Sequence, residues 1–445
     1  MSFEVVLENS SDSTHTAKIA RLSILSALNR LTMAFNQIVL PLFVLAIGFD
    51  EAFYGVMVAT AGYVQGIILF PAGMFSDRKG RGVAILFGGF FAGLCLILIP
   101  FAVNSFQILL LYGLSGVGTG FTMTSIDSLI ADHTRKGDER TRSYGYTTAA
   151  AVIAAMFGSF FAGYFLDPIA FPYISIEMLR YTILFWMMGS FRVATGIFGI
   201  YTQRWLGENG SNDILIVDEN GEVGPNSTSE AEPEETTERQ DTETALLFGT
   251  TQLLMGISSG MVIPYLIPWI YAAFIIDPIV LGSVPAIANI TLATGTLAVG
   301  LYSSRIGKIK TISIMYALAP ILMLGIVFSP WFLLMLVFYV ARNAVANMNR
   351  PVFNSLFMDE VALSRRARAF SITRVMWQFP RQTGTLLTAF LLVYFSGIVE
   401  YGLNIFPIAM LLYPVSVIPM YIAVKRNARI REEKGIATVL PDDSD

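Results

Sequence analysis

The chain has one cysteine, Cys95, and two histidines, His15 and His133. A lone thiol excludes an intrachain disulfide, and so thin a set of nitrogen and sulfur ligands excludes a zinc-type centre. Charge is scarce as well: 14% of the 445 residues are Asp, Glu, Lys or Arg, against 54% hydrophobic. With a mean hydropathy of +0.61, too little polar surface remains for a water-soluble protein of this length. No G-x-x-x-x-G-K-[ST] phosphate loop occurs, which argues against an ATP-driven pump. No Asp or Glu lies at the middle of any long apolar stretch, so the carboxylate that usually binds a cation or carries a proton is missing. The chain is expected to be no enzyme and to need no cofactor, metal or nucleic acid.

What is present is a series of apolar stretches, each near the roughly 20 residues that span a bilayer. About twelve such helices are predicted: 19–47, 53–75, 83–103, 106–131, 143–166, 181–202, 246–273, 279–302, 311–328, 331–357, 368–396 and 401–424. The first follows a polar stretch with Asp12 and His15 and lacks a small-residue cleavage site, so no signal peptide is expected. Lys and Arg gather at alternate joins, including Arg78, Lys79, Arg81, Arg135, Lys136, Arg140, Lys310, Arg365, Arg366 and Arg368, whereas the opposite joins offer Arg180 alone. By the positive-inside rule the tails 1–18 and 425–445 are both expected to be cytoplasmic; a monomeric multi-pass protein of the cell membrane is expected. The acid is concentrated in 203–245, rich in Glu and Asp with Gly, Pro, Ser and Thr, which reads as a disordered cytoplasmic tether.

That tether separates two repeats, 19–202 and 246–424. Gly73 and Gly300, Gly80 and Gly307, and Asp132 and Asp359 are each 227 residues apart, while Arg142 and Arg368, and Gly158 and Gly384, are 226 apart. One register kept over five features implies two six-helix bundles of like orientation, related by an axis along the membrane normal. The most specific element is Gly73-Met-Phe-Ser-Asp77-Arg78-Lys79-Gly80-Arg81 between helices 2 and 3, echoed by Gly300-Leu-Tyr-Ser-Ser304-Arg305-Ile306-Gly307-Lys308 between helices 8 and 9. Gly73 and Gly80 suit close backbone approach and a tight turn.

The pattern G-x-x-x-D-R-x-G-R resembles the signature of the major facilitator superfamily, as does its weaker second copy. The acid followed by an Arg-rich join after helices 4 and 10, Asp132 to Arg142 and Asp359 to Arg368, fits the same resemblance. It implies an all-α fold of two parallel six-helix repeats, and a latch formed by a network of Asp77, Arg81 and Asp132 whose acid also favours the positive end of helix 11. Ser304 replaces the acid in the second copy, so a latch there is weaker. Gly158-Ser-Phe-Phe-Ala-Gly163 resembles the family's antiporter motif but lacks its proline, which weakens the case for proton-coupled export; such small residues also permit close helix packing.

Polar residues inside the spans are costly and mark candidate function. Helix 1 carries Arg30, Asn36 and Gln37; helix 10 carries Arg342, Asn343, Asn347 and Arg350; helix 11 carries Arg374, Gln378, Arg381 and Gln382 on one face. The resemblance places all three helices around a central cavity. Arg342 and Arg381 fall near mid-span and are the leading substrate contacts, while Arg30, Arg350 and Arg374 are nearer the cytoplasmic end, where they either snorkel or join gate pairs. Arg192 of peripheral helix 6 reads as structural or as snorkelling inward, and Asp127, near the inner end of helix 4, reads as a partner for one of the arginines, in a gate or in plain packing. An excess of buried Arg over acid favours an organic anion as substrate, with a coupling proton or other ion among the expected partners. Efflux of lipophilic compounds through a Met- and aromatic-rich pocket is the alternative. A non-transporting sensor on a transporter scaffold is a third reading, opposed by the intact 73–81 motif.

Overall fold

The computed structural model describes residues 2–133, 138–209, 238–362 and 365–433. Apart from a 3-10 turn at Ile99–Phe101, every regular element among them is an α-helix: α1 (Ser2–Ala46), α2 (Glu51–Lys79), α3 (Arg81–Leu98), α4 (Ser105–Asp132), α5 (Asp138–Leu166), α6 (Glu177–Asn209), α7 (Glu238–Phe274), α8 (Pro278–Ile306), α9 (Lys308–Val327), α10 (Phe332–Asp359), α11 (Arg366–Leu392), α12 (Ile398–Met410) and α13 (Leu412–Glu433). Ten helical stretches among the described residues are long and apolar enough to cross a membrane, and one of them runs through both α12 and α13. A single span is expected there, but Pro414 has no N–H to offer the carbonyl of Met410 and its ring crowds that turn, so the helix breaks at Leu411. α11, with Arg366, Arg368, Arg374 and Arg381, is not among the ten.

Helices overrun the apolar stretches. α6 continues to Asn209 and α7 begins at Glu238, so both edges of the acidic tether are helical. Its middle, and with it the expectation of disorder, lies outside the described residues.

The chain packs as two compact units. The first comprises Met1–Phe43, Thr60–Thr228 and Asp277–Asn289; the second comprises Val44–Ala59, Ser229–Ile276 and Ile290–Asp445. In the first, α3 lies against α4 and α6, and Leu22, Leu25, Ile85, Ile126, Leu129, Ile130 and Leu206 form one apolar cluster. α5 packs by small residues, as its glycine-rich stretch permits: Gly158 abuts α1 at Leu31 and Ala34, and Gly163 abuts Gly282 at the start of α8. In the second unit α7 and α11 are the tightest pair, with α12 and α13 also on α7. Exposed Phe70, Phe90, Phe157 and Phe390 show large apolar side chains facing outward, as a lipid-embedded surface requires.

Candidate functional site

The repeated motif builds the same joint twice. Gly80, between α2 and α3, has φ 96 and ψ 147; Gly307, between α8 and α9, has φ 93 and ψ 147. A side chain is strongly disfavoured in that conformation, so glycine is required at both turns. Because the turns match, the cation that follows each one is delivered to an acid in the last turn of another helix. Arg81 Nε donates to Asp132 Oδ2 at 2.9 Å, and Lys308 Nζ pairs with Asp359. The serines beside each pair are tied in as well. Arg81 Nη1 donates to Ser76 Oγ at 3.3 Å, Ser76 accepts from Ser125 at 3.0 Å, and Lys308 Nζ donates to Ser355 Oγ at 2.7 Å.

The first copy has one partner more, because Asp77 also pairs with Arg81, one helical turn away. Asp77 is 64% and Asp132 46% exposed, so each pair contributes about 0.2–1 kcal/mol. Pairs that weak hold a helix end in place yet break easily, which suits a latch. Gly73 differs from expectation: an added Cβ there meets nothing within 4 Å, so no close approach requires that glycine. Arg78 is exposed. Arg142, Gly300 and Arg305 lie outside the residues whose side-chain surroundings are described.

In the second unit, glycines aim the candidate substrate face. A Cβ on Gly260 of α7 would sit 1.9 Å from the Arg381 carbonyl oxygen, and one on Gly384 of α11 would sit 2.2 Å from that of Ile257. The two backbones therefore touch, and hydroxyls seal the seam: Thr385 Oγ1 donates to the Gly260 carbonyl at 3.1 Å, Thr388 Oγ1 to Met261 at 3.0 Å, and Tyr265 Oη to the Thr385 carbonyl at 2.8 Å. Arg381 thus has its backbone against α7. The guanidinium lies 5.3 Å from the Trp377 ring centroid, with Tyr54 and Tyr413 in electrostatic reach, and it is only half-buried. Gln378 is half-buried and Arg374 exposed on the same helix.

Arg342 is placed differently. It is 4% exposed, its Nη2 reaches Met410 Sδ of α12 at 3.7 Å, and its Nε has no hydrogen-bond partner. Asn347 is exposed and donates to the Asn343 carbonyl at 2.8 Å. In the first unit, Arg30 and Gln37 are exposed on α1, while half-buried Asn36 donates from Nδ2 to Tyr112 Oη of α4 at 2.8 Å. Arg192 does not snorkel. It is 5% exposed and donates from Nη1 to Asn29 Oδ1 of α1 at 2.6 Å.

Sequence reasoning missed a partly buried ionic cluster in the second unit where α7 begins and α10 and α13 end. Asp241 pairs with Arg365, Glu243 Oε2 accepts from Arg426 at 2.8 Å, and Glu360 Oε2 accepts from Arg431 at 3.3 Å and from Asn427 Nδ2 at 3.0 Å. Burial pushes the Glu360 carboxyl above the usual range, against the pull of Asn427 and Arg431. These partners lie 67 to 183 residues apart, so no local spacing announced them.

A helical multi-pass architecture with the same charged joint in both repeats defines a two-repeat membrane transporter fold. The chain belongs to the major facilitator superfamily, whose family model matches residues 22–211 and 248–439. Solved structures agree in fold at low identity. A bacterial homologue of the human lysosomal transporter Spinster, inward-facing and occupied, matches with a TM-score of 0.67 at 12% identity over 96% of this chain and 99% of that one. The nucleoside transporter NupG matches at 0.68 and 13% over 92% and 99%, and the peptide transporter POT in complex with sulfate at 0.66 and 12% over 93% and 95%. No curated protein matches the sequence significantly.

Proposed function

We propose that the protein is a secondary transporter that carries a small organic anion across a cell membrane by alternating access, as a monomer with both termini cytoplasmic. Membership of the superfamily supports transport, as do neighbours that are themselves described as transporters. One observation carries the anion: Arg381 is a permanent cation at mid-span, half-buried beside Trp377, with no carboxylate paired to it among the described residues. A solute carboxylate or sulfonate supplies the missing charge. Gln378 and Arg374 on the same helix offer further polar contacts, whereas Arg342 is turned onto α12. The Asp77, Arg81 and Asp132 set acts as the breakable latch of the cycle, and the Lys308 and Asp359 pair as its counterpart. The aromatic surroundings of Arg381, Trp377 with Tyr54 and Tyr413, favour a lipophilic compound as the second reading.

The test is thermal unfolding of the purified protein with glutarate and benzenesulfonate, with benzyltrimethylammonium, and with glucose, since a ligand bound to the folded state raises its stability. Stabilisation by the anions that disappears in Arg381→Ala supports the proposal. Stabilisation by the cation alone moves the assignment to lipophilic efflux.

A further inference from the structure

Arg192 is the least explained cation in the first unit. α6 carries it, and the α6 backbone there is pressed onto α3: a Cβ on Gly89 would lie 2.5 Å from the Arg192 carbonyl oxygen. The side chain runs across to α1 and ends on Asn29. Its guanidinium is almost fully enclosed, its Nε has no partner, and its described polar neighbours are Asn29 and Tyr112, neither of which bears a negative charge. Burying a guanidinium without a counter-charge is expensive in protein or lipid. Plain packing between α6 and α1 is served better by leucine or methionine.

What the arrangement does accomplish is rotational. Asn29 and Asn36 are seven residues apart on α1, two helical turns, and so share a face. Arg192 from α6 holds the first, and Tyr112 from α4 holds the second. Two pins on one stripe, set by two neighbouring helices, fix the angle of α1 about its axis. The next residue after each pin, about 100° further round, is Arg30 or Gln37. From residue 25 to residue 47, these two are the exposed positions of α1.

We infer that Arg192 is a positioning residue that sets the rotation of α1 through Asn29, Tyr112 and Asn36, so that Arg30 and Gln37 face the solute pathway. This rests on the reading of the protein as a solute transporter, but its test needs no solute.

Cys95 is buried and is the sole thiol of the chain, so a Cys95→Ala background gives a silent protein for thiol labelling. In that background, Gln37→Cys and Ile38→Cys are reacted with the sulfonated, charged reagent MTSES, which enters water-filled space and not lipid. Ile38 is fully buried and serves as the reference. With Arg192 intact, the 37 position should react at least tenfold faster than the 38 position. With Arg192→Met the ratio should fall at least threefold, with Tyr112→Phe it should fall by less, and Arg192→Lys, which keeps one donor for Asn29, should restore most of it. A ratio that Arg192→Met leaves unchanged overturns the inference. So does a Gln37→Cys that the charged reagent never reaches while Arg192 is intact. Should Arg192→Met fail to fold, the Tyr112→Phe and Arg192→Lys proteins carry the same comparison. An Arg192-dependent ratio in a protein that no anion stabilises leaves the positioning role standing and sinks the anion reading instead.

Discussion

Gly260→Ala tests whether helix packing aims Arg381. The added methyl would lie 1.9 Å from the Arg381 carbonyl oxygen, and real Cβ contacts are essentially never under 3.0 Å, so α7 and α11 must part by more than 1 Å at that level. The obstacle is backbone, which cannot swing aside as a flexible side chain does. Overpacking of this kind costs about 1–3 kcal/mol. Parting the helices also stretches the bonds of Thr385 to Gly260 and of Tyr265 to Thr385, 3.1 and 2.8 Å long, each contributing about 0.5–1.5 kcal/mol. The total is about 2–6 kcal/mol, with Arg381 displaced alongside. Thermal unfolding in detergent, read with and without benzenesulfonate, should show both a lower Tm and a smaller anion-induced rise. The control is Gly73→Ala, where the methyl meets nothing and a helix-interior Gly-to-Ala change stabilises by about 0.5–1 kcal/mol. A Gly260→Ala protein as stable as Gly73→Ala, or one that responds to benzenesulfonate as the wild type does, refutes the reasoning.

Asp77→Asn should slow solute uptake into proteoliposomes severalfold while changing Tm little, because Asp77 is largely exposed and its pair with Arg81 contributes under about 1 kcal/mol; wild-type uptake by the variant contradicts the latch. Arg342→Met should retain the anion-induced Tm rise that Arg381→Ala loses, since the Arg342 side chain ends on Met410; loss of the rise in both would return Arg342 to the solute contacts. Glu360→Gln probes the partly buried cluster by pH. The folded-state pKa of Glu360 is raised above its ordinary value of 4.5, so its contribution is present below that value and is lost as pH rises through the folded-state pKa. Gln mimics the protonated acid, so the Tm of the variant should gain on the wild type as pH rises from about 4 to 8, and a difference of the opposite sign contradicts the assignment.

The fold was legible because membrane insertion is read from hydropathy and the repeat from spacing. Gly80 and Gly307, 227 residues apart, adopt the same backbone angles, and the cations after them meet acids that are themselves 227 apart. Side-chain direction was harder to read. Arg342 and Arg381 look alike from depth alone, yet one turns onto α12 and the other has its backbone against α7 and its guanidinium beside Trp377. Arg192 carried the same ambiguity. Its position on a peripheral helix suggested a structural role, and only the α3 contact behind it and Asn29 in front fix where it points. The Glu360 cluster was hidden for a related reason, as its partners come from helix ends far apart in sequence whose meeting depends on the finished bundle.

The central claim is that Arg381 receives the negative charge of a transported solute. Its most direct test is uptake of radiolabelled glutarate and benzenesulfonate into proteoliposomes containing wild-type, Arg381→Lys or Arg381→Ala protein. Saturable anion uptake by the wild type, reduced in Arg381→Lys and abolished in Arg381→Ala, is the predicted result. Anion uptake untouched by Arg381→Ala, or saturable uptake of benzyltrimethylammonium in place of the anions, would contradict it.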